Sequence, residues 1–435
     1  MKFTGKILSL LLASLMLAAP LTACKSGGSG DGTGTDLSTG TTAGGESETL
    51  PPRHDYMAAN VSADVTLPRE SYTNLILQVP NSLKVEAEDV KDYVENIRFQ
   101  NRVAVNGTTM VKDKPLALGD DAYIYYKGFL NGEAFEGGSN WDDDKPYTLG
   151  LGSGSFIPGF EEALVGVIPN TTSKNTPAEI TVTFPEDYNE ELGGKEVIFQ
   201  IAVEYAVQYT LPEYNREFVE KTLKYDPKKD FYASDAAFLE EFEAYVYDYL
   251  VDQTASKLTS AKNTALWDHL LDVAACKNLP ATEVGYYYSV YYSEVERYYE
   301  TYKSYNGEQF TQMYPDLGSF AVVYLGLESG ADWKDGLNAM AEELVRRDMI
   351  THAIAEQEGL ETVTDAEFDA QVEYWIDYYK AYYGTMTREQ VLANIGEAFL
   401  KEAALSEKIN AWLMEQVAFT YEDGTPIVSN TDKNE

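Results

Sequence analysis

GSGSFIPGFEEAL, running from Gly152 to Leu164, carries a glycine-rich loop into the start of a short helix. Pro158 stands just ahead of Phe160-Glu161-Glu162-Ala163-Leu164, where its fixed φ suits a first helical turn. Upstream, Ala122 to Phe129 alternates in character and ends at Asn131-Gly132, a tight hairpin turn. Downstream, Glu179 to Phe184 and Glu196 to Val207 are rich in β-branched and aromatic residues, which suit strands. The pattern predicts a sheet with one short helix packed across it.

Four pieces carry a family resemblance in register: YKGFLNGEAFEGG (Tyr126 to Gly138), YTLGLGSGSFIPGFEEAL (Tyr147 to Leu164), TVTFPEDY (Thr181 to Tyr188) and LGGKEVIFQIAVEY (Leu192 to Tyr205). Together they resemble the FKBP-type peptidyl-prolyl isomerase domain, in the version found in trigger factors. The resemblance implies an α+β multidomain chain: an FKBP-like antiparallel sheet wrapped on a short helix, followed by an all-α trigger factor-like C-terminal domain; composition adds a disordered N-terminal linker. The resemblance also implies an activity, prolyl cis-trans isomerisation, and a second role as a chaperone.

Rotation about a prolyl bond is slow because partial double-bond character must be broken, a barrier of ~18–20 kcal/mol. No covalent bond changes, so neither nucleophile, metal nor cofactor is expected; an apolar, aromatic-lined cleft with one or two donors suffices. Matched residue by residue, the resemblance places Tyr126, Phe135, Tyr147, Phe160 and Phe199 as walls, with Phe156 and Ile157 on the rim. Phe160 takes the floor, the Ile157 main-chain N–H is expected to hold the substrate carbonyl, and Glu136 stands where many FKBPs carry Asp. Tyr188 and Leu149 are expected to help bind substrate.

The N-terminus resembles an exported leader: Lys2 and Lys6 precede an apolar run from Ile7 to Ala19, then Leu21-Thr22-Ala23-Cys24. That run falls short of the ~20 residues of a membrane span. The Leu-Thr-Ala-Cys ending resembles a bacterial lipobox, implying cleavage before Cys24 and a lipid on its sulfur. Cys276 is the sole other cysteine, so no disulfide framework is expected, and it reads as a buried apolar residue. The Gly/Ser/Thr tract after Cys24 has almost nothing to bury and reads as a tether.

The formal charge of −38 repels phosphate backbones, so nucleic acid is not an expected partner. Trigger factors dock on ribosomes through a Gly-Phe-Arg-x-Gly-Lys loop, and nothing between Lys25 and Leu116 matches it; no ribosome contact is expected. Gly150-Leu-Gly152-Ser-Gly154 completes no dinucleotide-binding spacing. Asp142, Asp143 and Asp144 read as a solvated run, and His54, His269 and His352 are too scattered for a metal or triad pattern.

Val85 to Val105 places Val90, Tyr93, Val94 and Ile97 near a 3.6 period, predicting an amphipathic connector helix. From Leu211 onward the periodicity is helical. Thr364-Asp-Ala-Glu367 predicts a capping box ahead of Phe368, Val372, Trp375, Ile376 and Tyr379, stopped at Gly384, and Thr387-Arg-Glu-Gln390 repeats it. In the tract from Tyr286 to Tyr305, Tyr288, Tyr291, Tyr292, Val295, Tyr298, Tyr299 and Tyr302 form a stripe, with Glu294, Glu296, Arg297 and Glu300 facing elsewhere. Two readings stay open for it: interhelical packing, or a surface on which Tyr291, Tyr292, Tyr298 and Tyr299 bind unfolded chains.

The expected domains are a leader (1–23), tether (24–66), connector (67–115), isomerase domain (116–209), helical chaperone domain (210–422) and tail (423–435). The function expected is an isomerase and chaperone for unfolded or proline-containing exported polypeptides, held outside the cytoplasm by a lipid on Cys24, at the outer face of the cytoplasmic membrane in preference to the periplasmic side of an outer membrane. The alternative is a binding lipoprotein whose FKBP domain recognises peptides without catalysis.

Overall fold

The computed structural model describes residues 61–427, apart from 186, 187, 190, 230, 329 and 383. The leader, Cys24 and most of the expected tether lie outside the described residues. Two compact units are present: one from Lys84 to Ala255, the other built from chain on both sides of it, up to Leu83 and from Ser256 on.

In the Lys84–Ala255 unit, the strands Asp121–Leu130 and Glu196–Val207 pair antiparallel along most of their length, setting Tyr126 opposite Ile201 and Gly128 opposite Phe199. Ala178–Thr183 flanks the second of these, with Ile180 opposite Phe199, and Met110–Val111 pairs at its far end. Asp121–Leu130 also pairs with Glu133–Ser139 and with Tyr147–Gly150. Asn131 and Gly132 turn the hairpin at φ 52° and 87°, the left-handed pair that a two-residue turn requires. Strand alternation points Ala122, Ile124, Val197, Phe199, Ile201 and Val203 inward, where they pack with Phe160 and Leu164. The helix bearing Phe160 is a single turn, Phe160–Ala163.

The connector helix is Ala87–Gln100, shorter than its periodicity suggested. Asn101 Nδ2 donates to the Ile97 carbonyl at 2.9 Å, and the chain then enters the strand Val103–Thr108, which pairs with Tyr209–Thr210. The alternating β-branched Val103 and Val105 favour that extended course. Val90 and Val94 pack with Phe218, Val219, Tyr232, Phe238, Phe242 and Val246. Residues 210–255 therefore share a core with the connector, and the expected boundary at 209/210 does not separate two folding units.

In the second unit, the helix Trp333–Glu358 is buried on one face at Leu337, Met340, Ala341, Leu344 and Val345 and on all sides from Met349 to Ala355, and it packs against Ala281–Met313 and Glu397–Gln416. Both expected capping boxes form: Glu367 accepts the Thr364 N–H at 2.7 Å, and Gln390 Oε1 accepts the Thr387 N–H at 2.8 Å. The helix Asp365–Tyr382 buries Val372, Trp375 and Tyr379. Gly384, at φ 111°, then donates its N–H to the Tyr379 carbonyl.

Two corrections concern the ends of this unit. Val61, Val65, Leu67 and Tyr72 are buried in its core, so residues 61–66, expected as the end of the tether, are folded, because they carry apolar side chains with a core to enter. The segment 417–421, expected as helix, is a strand, and Val417↔Leu75 through Tyr421↔Val79 pair in parallel. Val65–Thr66 pairs antiparallel with Ala275–Cys276, leaving Cys276 half-buried on a strand. No helix among the described residues is long and apolar enough to cross a membrane.

Candidate active site

The sheet and the single-turn helix bring six aromatic rings together. Tyr126 projects from its strand on the face shared with Ile124 and Gly128, and its ring lies edge-on to Phe156 (5.3 Å between centroids), Phe160 (6.3 Å) and Phe199 (6.3 Å). Phe160 meets Phe199 at 5.0 Å and 82°, and Phe135 meets Phe199 at 5.8 Å and 84°. Tyr147 closes the side, 5.5 Å from Phe156 and 6.3 Å from Tyr126. Edge-to-face contacts of this kind contribute ~0.5–1.5 kcal/mol each beyond buried area, and they fix the rings at set angles.

Phe160 has no exposure at all, because the Phe156 ring lies over it at 4.5 Å. Phe156 and Ile157 are half-buried on the rim. The Ile157 carbonyl accepts the Phe160 N–H at 3.1 Å, whereas the Ile157 N–H has no acceptor among the described residues. Burial, reinforced by Tyr147 and Asp143, raises the Tyr126 pKa, so its hydroxyl remains a donor at neutral pH.

The remaining expected site residues fall differently. Glu136 is exposed, and no hydrogen bond ties it to the cleft among the described residues; Asp143 is the carboxylate whose charge acts on Tyr126. Leu149 has no exposure. It pairs with Ala122 one pleat deeper than Tyr147, inside the core. Tyr188 is 52% exposed and lies tilted against Phe184 at 4.5 Å and 48°, and Phe184 in turn meets Phe135. In the second unit, Tyr291 and Tyr299 are buried in packing of Ala281–Met313, and Tyr292 and Tyr298 lie against Trp333 and Tyr324. Glu294, expected to face away from the stripe, is 4% exposed. The exposed end of that tract is Tyr302 and Tyr305.

Three residues missed in the sequence shape the cleft. A Cβ on Gly128 would lie 2.5 Å from Phe135 Cζ and 2.7 Å from Phe199 Cε1; only glycine lets both rings close. Buried Asn140 accepts the Tyr126 N–H at 2.7 Å and donates to the Ile124 carbonyl at 3.1 Å, pinning the strand where its hairpin partner departs. Glu161 accepts five hydrogen bonds from the loop Gly152–Phe156. Nothing local marks Asn140; Glu161 stands beside Phe160 in the decisive stretch itself.

Residues 112–208 match the FKBP-type peptidyl-prolyl cis-trans isomerase family. The chain is 30% identical over 340 residues to the trigger factor of Lysinibacillus sphaericus (strain C3-41), an alignment covering 76% of this chain and 69% of that one. It is 30% identical over 327 residues to that of Shouchella clausii (strain KSM-K16), covering 74% and 66%, and 28% identical over 345 residues to that of Clostridioides difficile (strain 630), covering 79% and 70%. A solved trigger factor chaperone structure aligns at 15% identity, covering 81% of this chain and 72% of that one, with a TM-score of 0.33, too low to bear on the arrangement of the units. The chain belongs to the trigger factor family and is a peptidyl-prolyl cis-trans isomerase of the FKBP type.

Proposed function

We propose that the cleft around Tyr126, Phe160 and Phe199 isomerises prolyl bonds in unfolded, exported polypeptides while the second unit holds those chains, and that the protein works outside the cytoplasm on a lipid anchor. The observation that carries the catalytic part is an edge-to-face aromatic cleft bordered by a main-chain N–H with no acceptor among the described residues, that of Ile157.

The resonance form that stiffens an amide is charge-separated, so water stabilises it more than hydrocarbon does. Moving the X-Pro bond among these rings weakens that resonance, and each ~1.4 kcal/mol taken off the barrier is worth tenfold in rate. The proline ring rests on the floor, the Ile157 N–H holds the carbonyl, and the Tyr126 hydroxyl supplies a second donor at the wall. Since the Phe156 ring covers Phe160, it must turn aside for the prolyl ring to reach the floor.

Holding an unfolded chain needs broad apolar surface instead. In the second unit Tyr302, Tyr305, Met313 and Val323 are exposed, and Tyr302 and Tyr305 stand near the end of a helix kinked at Gly307. They offer such surface, in place of the buried Tyr291 and Tyr299. The export and anchor rest on Lys2 to Cys24, and the acidity of the chain accords with a role away from the ribosome.

The test pairs two assays on the full-length protein. Tyr126→Phe is expected to lower prolyl isomerisation and leave suppression of aggregation of proline-poor clients intact, and joint replacement of Tyr302 and Tyr305 by serine to do the reverse. Loss of both activities in either variant contradicts the division of labour. Cys24→Ser is expected to abolish palmitate labelling and membrane retention; labelling that persists contradicts the anchor.

A further inference from the structure

We propose that Glu161 is the positioning residue of the isomerase cleft: its carboxylate holds the loop Gly152–Phe156 so that the next N–H, that of Ile157, is presented to the substrate carbonyl. The side chain is 3% exposed. Its Oε2 accepts the N–H of Gly152 at 2.7 Å and of Gly154 at 3.2 Å. Its Oε1 accepts the N–H of Ser155 at 2.9 Å and of Phe156 at 3.2 Å, and the hydroxyl of Ser153 at 3.1 Å.

A carboxylate has about four lone-pair directions, and all are spent here on one loop. A charge this buried is tolerable only when its acceptor capacity is filled. Gly152 and Gly154 sit at φ 95° and 69°, conformations that no regular ladder imposes, and Glu161 takes more of the loop's hydrogen bonds than any other residue. Asn96 adds a bond at 3.3 Å to the Ser153 carbonyl, the Ser153 N–H donates to the Gly150 carbonyl at 3.1 Å and the Ser155 N–H also reaches Ser153 Oγ at 3.2 Å, but the other N–H groups, those of Gly152, Gly154 and Phe156, go to Glu161. Four main-chain donors point at the carboxylate, and the Ile157 N–H, immediately after them, has no acceptor among the described residues. Glu161 also follows Phe160 on the same helical turn, so one element fixes both the floor and the loop facing it.

Glutamine has the same length but one acceptor oxygen, and its amide group would turn donors toward donors. Glu161→Gln therefore releases part of the loop while leaving the rings in place. Because the positioned N–H matters most while the carbonyl is twisting, the loss falls on kcat and not on KM.

This inference rests on reading the Tyr126–Phe199 cleft as the isomerase site, and the experiment separates the two. Full-length wild type, Glu161→Gln, Ser153→Ala and, as a core control, Val203→Ala are assayed on an X-Pro peptide with thermal melting alongside. Glu161→Gln is expected to lose about tenfold in kcat with KM within about twofold. Val203→Ala, though destabilised, is expected to keep its kcat. An inactive wild type overturns the cleft reading itself. An active wild type with Glu161→Gln at full kcat, or with an equal kcat loss in Val203→Ala, overturns the positioning role alone. Should Glu161→Gln fail to fold, Ser153→Ala, which removes one of the five donors together with the Ser153 Oγ contacts to Ser155, is read beside Ser155→Ala, which removes only the Ser155 hydroxyl: a loss of roughly threefold in kcat confined to Ser153→Ala supports the role, and unchanged kcat or an equal loss in both overturns it.

Discussion

The hydroxyl of Tyr72 donates a 2.8 Å hydrogen bond to Oε1 of Glu358, 286 residues further along the chain. Gln357 Oε1 accepts from the same hydroxyl at 3.0 Å, and the Arg69 guanidinium grips Glu358 through both its oxygens. Together with the pairing of Leu75–Val79 on Val417–Tyr421, these contacts make the N-terminal segment part of the second unit. Tyr72→Phe keeps the ring and deletes the donor, leaving the half-buried Glu358 short of one partner and the exposed Gln357 to water; it is expected to cost roughly 1 kcal/mol. Denaturant unfolding checks this, and an unchanged midpoint contradicts it.

Arg69 and the Tyr72 hydroxyl hold the Glu358 carboxyl below its usual range, with the Arg69 bond the larger cause. A carboxyl lowered in the folded state contributes stability above its unfolded value, ~4.3, that is lost as pH falls through the folded value. Glu358→Gln is therefore expected to be less stable than wild type at neutral pH, with the gap closing in acid. A gap that is constant from neutral pH down to about pH 3 contradicts the linkage.

Gly128→Ala is expected to force Phe135 and Phe199 apart, since neither ring can give way without leaving the other. Overpacking of this kind costs about 1–3 kcal/mol. Isomerisation should fall further than stability alone explains. A variant that melts lower yet keeps full activity shows that the angle between those rings is not needed.

Phe160→Ala removes a ring with no exposure and is expected to cost ~3–5 kcal/mol. Calorimetry or chemical unfolding measures it. A cost under about 1 kcal/mol shows that the site collapses around the missing ring.

Much of the isomerase domain was legible because its signals are local. Alternation in Ala122 to Phe129, the turn at Asn131-Gly132 and the capping boxes at Thr364 and Thr387 each declare themselves within a few residues. What stayed hidden depends on distant partners. Leu75–Val79 looks like any short apolar run, and only Val417–Tyr421 makes it a strand of the second unit. Leu149 and Tyr147 share a strand face, and only the depth of the sheet decides that one is core and the other wall. Burial of Tyr291 likewise follows from the packing of Ala281–Met313 against Trp333–Glu358, which no stripe on one helix reveals.

The most direct measurement is exchange NMR on a short X-Pro peptide with full-length protein at catalytic concentration, for wild type and the double variant Tyr126→Phe, Phe160→Leu. Uncatalysed exchange takes tens to hundreds of seconds. Wild type is expected to bring cis and trans signals into rapid exchange, and the folded double variant to lose at least about tenfold of that acceleration. Acceleration that survives the double substitution would place the isomerase site elsewhere and contradict the account.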